Sequence, residues 1–430
     1  VKPRTVRPRE LYWCLAPQLD LAASWSAPRA DHRIAPTIAR PIRLPALGFV
    51  NGSLVASATL NQRRALEPLT IRGLQPFRIR VVRSWFESLG PRRPAAIEVA
   101  DWGDAVLDSI GRSDAKVMWH TSVAKAAFAI RLYRAIDWTA VSSVVVATQH
   151  ELMVRSLILA AQEAGKPVVY LPHAPIGSNA QYADLPTAFA GLRGRREVDY
   201  CAQHLNADAE LLDVVGNPSS DVLSAPMPAI DTAGPGVLAL SPHPPRLLRA
   251  IVDAVRESGV KHLIVAPHPR SNLAEISKLV PKGWSVHAGR RTLDLLREGP
   301  RFLLHHSSGV AWESAALGIP TADVSVGGAR PNYPFLEDPV FPRLQNSGEI
   351  ADFVLGGGSE ATDRELLRVS AMAWCAIDGE AAARRVREVV AEAEARFRGG
   401  RPARLVDGWA GADSPAREIS WLPAVPADWS

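Results

Sequence analysis

Seven of the eleven histidines lie in six short segments: Trp119-His120, Gln149-His150, Pro172-His173, Ser241-Pro242-His243, Pro267-His268-Pro269-Arg270 and His305-His306-Ser307-Ser308-Gly309. Each segment directly follows a run that reads as a strand. Imidazole, with an ordinary pKa of about 6.5, can take or give a proton at neutral pH. Histidines gathered at strand ends therefore predict one polar, titratable cleft rather than scattered surface groups. The richest stretch is Leu303 to Pro320 (LLHHSSGVAWESAALGIP). Here a strand ends at two histidines and a small polar turn opens a helix, whose first amides, with the Ser307 and Ser308 hydroxyls, suit a phosphate. Glu313, on the first turns of that helix, could hold ribose hydroxyls. The plainer alternative is that the serines cap the helix and Glu313 is solvated. In Ala266 to Ser271 (APHPRS), Pro269 stiffens the chain, and His268 and Arg270 could meet a phosphate, Arg through its planar fork of donors. Taken together, the two segments favour phosphate binding.

Such segments must be positioned by alternating strands and helices. Ala115 to Trp119 reads as a short strand and Val123 to Ala135 as a helix. Ser143 to Thr148 (SVVVAT) reads as a buried strand. Glu151 to Ala164 carries Leu152, Val154, Leu157, Ile158 and Ala161 close to helical spacing, and Gly165 suits its left-handed end. Val168 to Leu171 is the next strand, so the unit implies a parallel sheet. After Leu211 to Asp221, a stretch crowded with Pro226, Pro228, Gly234, Pro235 and Gly236 marks a linker over 222–236. A second alternation then begins. Strands are expected at Val237–Leu240, His262–Ala266, Trp284–His287, Phe302–His305 and Thr321–Val324. Helices are expected at Arg246–Ser258, Leu273–Leu279, Leu293–Glu298 and Val310–Leu317. Repeated β–α units on both sides of a linker predict two doubly wound domains. Glu360 to Arg398 reads as a long helical stretch broken at Gly379, followed by a tail with Trp409, Trp421 and Trp429. Residues 1–100 are rich in Pro and Arg; within them Val50–Leu60 and Phe77–Val82 read as strands.

Composition narrows the classes. The chain has 430 residues, 47% hydrophobic and 22% charged, enough for two or three packed domains. Three widely spaced cysteines, Cys14, Cys201 and Cys375, exclude a disulfide scaffold and a cysteine-rich zinc module. The formal charge is +5, and only seven of the 49 basic residues are lysine. The arginines are scattered without interleaved aromatics, which argues against nucleic acid as a partner. No apolar run is long enough for a membrane span, and none behind Val1-Lys2-Pro3-Arg4 makes a secretory signal. A cytoplasmic location is expected; Lys2, Arg4, Arg7 and Arg9 read first as a solvated tail, with peripheral contact to the anionic inner face of the membrane as the alternative.

The pair His268-Pro269, followed by His306-Ser307-Ser308-Gly309 and Glu313-Ser314-Ala315-Ala316-Leu317-Gly318-Ile319-Pro320, resembles the nucleotide-binding half of GT-B glycosyltransferases. The likeness extends to bacterial capsule and surface-polysaccharide enzymes, including the polysialyltransferase-like group with its His-Pro and Ser-Ser motifs. Val215 to Asp221 (VGNPSSD) resembles the turn at the interdomain crossing in these enzymes and in UDP-N-acetylglucosamine 2-epimerases. Val168 to Pro175 (VVYLPHAP) resembles the acceptor-side strand exit of capsule transferases and glycerophosphotransferases. Departures are visible: Asp101-Trp102-Gly103-Asp104 stands in for the acidic motif of the sialyltransferase group, and His173-Ala174 for a His-Gly pair.

The resemblance implies an α/β GT-B fold: two Rossmann-like domains facing across a cleft, with a C-terminal helix crossing back. The expected divisions are an acceptor-side domain at 1–225, a nucleotide-sugar domain at 226–375, and a return helix and tail at 376–430. The expected activity is an inverting, metal-independent glycosyltransferase, with no cofactor beyond a nucleotide-sugar donor and with a surface glycan or glycolipid as acceptor. Ser241, His268, Pro269, Arg270, His306, Ser307, Ser308, Gly309 and Glu313 are the donor-binding candidates. His268 is also a catalytic candidate, and His173, then His150, is the candidate base. The competing readings are an epimerase-like or glycerophosphotransferase-like enzyme of the same fold, and a non-catalytic binder of sugar nucleotides or polysaccharide.

Overall fold

The structure is a computed structural model that describes residues 6–24, 42–43, 45–50, 52–69, 78–79, 93–178, 185, 189–205, 207–269, 271–289, 291–326, 333–356 and 359–398. Fourteen strands are present among them: β1 (Ile42–Arg43), β2 (Ala46–Val50), β3 (Ser53–Ser57), β4 (Arg78–Ile79), β5 (Ser143–Val146), β6 (Val168–Tyr170), β7 (Phe189–Leu192), β8 (Leu212–Val214), β9 (Gly236–Leu240), β10 (Leu263–Pro267), β11 (Ser285–Val286), β12 (Leu303–His305), β13 (Thr321–Val324) and β14 (Arg343–Leu344).

They form two six-stranded sheets and one small pair, β1 with β4. The first sheet runs β2-β3-β5-β6-β7-β8, parallel except for the β2–β3 hairpin. The second runs β11-β10-β9-β12-β13-β14 and is parallel throughout. Counted from β9, that order is 3-2-1-4-5-6, the doubly wound Rossmann order, whose reversal falls between β9 and β12.

Alternation along the strands explains the layers. In β5, Val144 and Val146 face a core shared with helices Pro8–Ser24, Arg93–Ser109, Lys116–Arg134 and Leu152–Glu163, while Val145 faces the opposite side. In β9, Leu238 and Leu240 point to one core, Val237 and Ala239 to the other. The last of the described helices, Gly379–Arg398, lies on the first sheet. Its Val386, Val389, Val390 and Ala393 recur at helical spacing and pack on Val55, Val145, Val169 and Phe189. The chain thus crosses from the second sheet back to the first, as the resemblance implied.

The two crossings run side by side. Asn217 and Asp378 form a parallel bridge, the Asn217 amide donates to the Ile377 carbonyl (2.9 Å), and the Gly379 amide donates to the Ser220 carbonyl (2.7 Å). Gly216 is required here twice over. Its φ is +78°, and a Cβ would lie 2.1 Å from the Ile377 carbonyl oxygen. At its far end the return helix is anchored by Glu394, whose Oε1 accepts from the hydroxyls of Ser53 (2.9 Å), Ser142 (2.7 Å) and Ser143 (2.7 Å). Glu394→Ala removes the acceptor shared by the buried Ser53 and Ser143 hydroxyls, so a loss of about 2 kcal/mol in unfolding free energy is expected in denaturant titration, with the m-value unchanged.

Several expectations are corrected. Ala115–Trp119 is not a strand: it closes a 3-10 turn and opens helix Lys116–Arg134. The reason is the spacing of Trp119, Val123, Ala126, Ala127, Ile130 and Tyr133, which places one continuous stripe against the core. Consequently His120 sits on a helix and pairs with Asp104 at 2.9 Å, away from any strand exit. Val50–Leu60 is a hairpin followed by helix Leu60–Leu66, rather than one strand. Glu360–Arg398 divides into Arg364–Trp374 and Gly379–Arg398, joined by the extended crossing, with Asp363 capping the first helix. Of the second early strand, Arg78–Ile79 is a strand, while Phe77 and residues 80–82, together with Lys2, Arg4 and the Trp-bearing tail, lie outside the described residues.

Candidate functional site

Five strand exits bear the remaining histidines, and the strand order brings those of the second sheet together. β9 and β12 lie side by side at the reversal, so Ser241-Pro242-His243 leaves next to His306-Ser307-Ser308-Gly309. The His243 Nε2–H donates to the His306 carbonyl (3.1 Å), and the two rings stand 4.9 Å apart. A carbonyl only accepts, so this bond fixes the His243 tautomer; burial also lowers its pKa. His268 leaves the neighbouring strand. Its amide extends the ladder to the Leu240 carbonyl (2.9 Å), and its side chain is partly exposed. Pro269 is exposed. Arg270 lies outside the described residues.

The turn after β12 rests on a residue the sequence reading did not single out. Asp323, in the middle of β13, is fully buried. Its Oδ1 accepts the Ser307 amide (2.8 Å), its Oδ2 accepts the Ser325 hydroxyl, and the Nδ1 atoms of His305 and His306 stand 3.4 and 3.6 Å away. Burial opposes its charge, but His306, His305 and Ser325 together outweigh that and hold the carboxyl below the ordinary range. Ser307 has φ +45°, the one left-handed residue other than glycine among those described. His306 and Ser307 are buried, whereas Ser308 and Gly309 are partly exposed. The part of the turn open to a ligand is therefore Ser308-Gly309. Glu313, one turn into helix Val310–Ala316, is partly buried, and its carboxylate has no hydrogen-bonded partner among the described residues. Burial raises its pKa against the fields of Arg291, Arg193 and Arg297.

His150 and His173 leave adjacent strands of the first sheet, β5 and β6. His173 Nδ1 lies 2.6 Å from the Ala147 carbonyl, so Nδ1 carries the proton and Nε2 the lone pair of the neutral ring. His150 is pushed down to about 3, first by burial, then by His173 and Arg155. The two sheets' exits meet: a Cβ on Gly309 would lie 3.6 Å from Pro175 Cδ, two residues beyond His173. Thus the His173 loop abuts the Ser308-Gly309 turn. Among the described residues, no three His, Cys, Asp or Glu side chains form a metal-ligand set, and no helix is long and apolar enough to cross a membrane.

The buried imidazoles give a pH signature. Burial pushes His305 down to about 4 despite Asp323, and His150 to about 3, both below the unfolded value of about 6.5. Between those limits the unfolded chain binds more protons than the native one. Their contribution is full above about pH 6.5 and declines as pH falls toward 4, by up to about 1.4 kcal/mol per pH unit for each ring. Asp323, depressed instead, keeps its contribution until pH drops below the usual carboxylate range. Melting temperature is expected to fall steadily from pH 7 to 4, less steeply in His305→Asn. Calorimetry across that range checks it.

Together the sheets, the crossing helix and the apposed exits define a two-domain, doubly wound α/β protein with Rossmann-like halves. No protein-family model and no curated protein matches the sequence. Solved structures of similar fold include the UDP-GlcNAc 2-epimerase of Neisseria meningitidis bound to UDP-GlcNAc, at 12% identity over 63% of this chain and 81% of that one, with a TM-score of 0.45. They include the calicheamicin glycosyltransferase CalG4, at 14% identity over 67% and 81%, TM-score 0.44. The wall teichoic acid polymerase TagF is similar at 11% identity over 60% and 72%, TM-score 0.42.

Proposed function

We propose that the protein is a glycosyltransferase that moves a sugar from a nucleotide-activated donor to a glycan or glycolipid acceptor. The observation that carries this reading is the apposition of the Ser308-Gly309 turn to the His173 loop at Pro175. One side offers donors to a phosphate and the other an oriented imidazole. The donor occupies the second sheet's reversal. Its phosphates meet the Ser308 and Gly309 amides, the Ser308 hydroxyl and His268, while Ser241 and Pro269 shape the rim and Glu313 takes the ribose. His306 and Ser307, being buried, support the turn from beneath.

In the transfer step an acceptor hydroxyl oxygen attacks the anomeric carbon as the carbon–oxygen bond to the phosphate breaks. The departing nucleotide keeps the electron pair, and its charge is stabilised by the donors aimed at it. His173 Nε2 takes the hydroxyl proton, since Nδ1 is already committed to the Ala147 carbonyl. A single displacement with the base opposite the leaving group inverts the anomeric centre. His150, neutral at working pH, orients the acceptor.

The test is a thermal-shift titration with CMP, UDP and GDP, followed by assays with the matching nucleotide sugars. One nucleotide should stabilise the protein, and its release from the sugar should require an acceptor. Conversion of UDP-GlcNAc to its epimer with no acceptor, or no response to any nucleotide, would overturn the assignment.

A further inference from the structure

Two buried charged residues beyond the site just described link its halves. Glu197 lies in the first turn of helix Arg195–His204, and its side chain is buried. Its Oε1 accepts the Ile176 amide (3.1 Å) and its Oε2 the Arg193 amide (2.9 Å). Ile176 directly follows Pro175, so this carboxylate fixes the loop that carries His173 to the exit of β7. Arg193 is 3% exposed; the charges of Glu197 and Glu313 act on it and Cys375 hydrogen-bonds to it, but among the described residues no carboxylate forms an ion pair with its guanidinium. A guanidinium so placed would be costly without compensation. It lies instead over the Trp312 ring, 4.5 Å from the centroid, an attraction that gains strength when desolvated.

Trp312 belongs to the other half. It is buried one turn after Gly309, its amide donates to the Gly309 carbonyl (3.2 Å), and its indole N–H donates to the Ala371 carbonyl (2.8 Å). Gly309 in turn abuts Pro175. The contacts close a circuit: Pro175 and Ile176, Glu197, Arg193, Trp312, Gly309 and back to Pro175. A third tie joins it, the Ala376 amide donating to the Arg193 carbonyl (3.0 Å), which fastens the returning crossing to the same point.

We propose that Glu197 and Arg193 are positioning residues, a brace that fixes the His173 loop of one half against the Ser308-Gly309 turn of the other. The role rests on the glycosyltransferase reading, because the distance the brace sets is that between base and donor. Neither residue touches the reactants. The brace acts on turnover and leaves donor binding, which belongs to the second sheet alone, nearly unchanged. A misplacement of about 1 Å between reacting groups can cost about 100-fold in rate.

The test compares Arg193→Met, Glu197→Gln, Trp312→Phe and Trp312→Leu in the full chain. Arg193→Met and Trp312→Leu should lower kcat about 10- to 100-fold with the nucleotide Kd held within about twofold. Glu197→Gln, which keeps one acceptor oxygen, should fall between them and wild type, and Trp312→Phe, which keeps a ring, should stay near wild type. Equal losses in kcat and affinity, or an unaltered kcat in Arg193→Met, would overturn the brace. If Arg193→Met does not fold, Arg193→Lys replaces it, with the same split expected. A second readout needs no activity. Spin labels at the exposed positions Val117 and Leu273, one in each half, report the distance between halves, and the native Cys14, Cys201 and Cys375 are buried and stay unlabelled. Arg193→Met should broaden that distance distribution. If wild type transfers no sugar, the functional reading fails by itself, and an unbroadened distribution then overturns the brace separately.

Discussion

His173→Ala is expected to lower kcat by about 10²- to 10⁴-fold, the range for removing a general base, while the nucleotide Kd stays as in wild type. Two features single out this imidazole. Its Nδ1 is committed to the Ala147 carbonyl at 2.6 Å, which leaves Nε2 as the basic nitrogen without any rearrangement. Its loop abuts the turn proposed to hold the donor phosphate, through Pro175 and Gly309. His150 is the neighbouring candidate, but burial and the field of His173 hold it down at about 3. Such a ring is a weak base at neutral pH. His150→Ala is therefore expected to raise KM for the acceptor more than it lowers kcat. Stopped-flow and steady-state measurements with a fixed donor separate the two. A His173→Ala enzyme that loses only donor affinity would contradict the assignment.

The second sheet was largely legible because its strands are short aliphatic runs bounded by turn residues. Val237–Leu240, Phe302–His305 and Thr321–Val324 agree with β9, β12 and β13 to within a residue. Strand order was not legible. Only folding places β9 beside β12, and that adjacency turns two separate histidine segments into one cluster. Failures follow from local composition. Lys116–Arg134 is a helix whose first turn, read through a short window, looks strand-like, so His120 was assigned to a strand exit that does not exist. Phe189–Leu192 has a glycine and no β-branched residue, yet it forms a buried strand, because Val169 and Tyr170 on one side and Leu212 to Val214 on the other complete its ladders. Arg193 and Glu197, which follow it, were missed for that reason. Asp323 left a faint signal that could have been read. A carboxylate inside the run Thr321 to Val324, in a sheet parallel throughout, requires buried partners.

Asp323→Ala is expected to be the most damaging single change in the donor half. It removes the acceptor of a buried amide, at about 1–3 kcal/mol, and withdraws the support that holds Ser307 at φ +45°, a conformation costing about 1–3 kcal/mol. It also leaves His305 and His306 without the carboxylate they face. A stability loss of about 2–6 kcal/mol is expected, the range of these two costs acting together. The turn should loosen, with faster amide exchange over residues 306–312 and a nucleotide affinity lowered about tenfold, or about 1.4 kcal/mol. Asp323→Asn keeps one acceptor oxygen for the Ser307 amide and should lose less on each count. Adding Ser307→Gly gives the decisive comparison. Glycine enters the left-handed region without steric cost, so Ser307→Gly should restore slow exchange and part of the stability lost in Asp323→Ala, while doing little on its own. If the glycine rescues neither, the carboxylate acts by compensating the histidines rather than by shaping the turn.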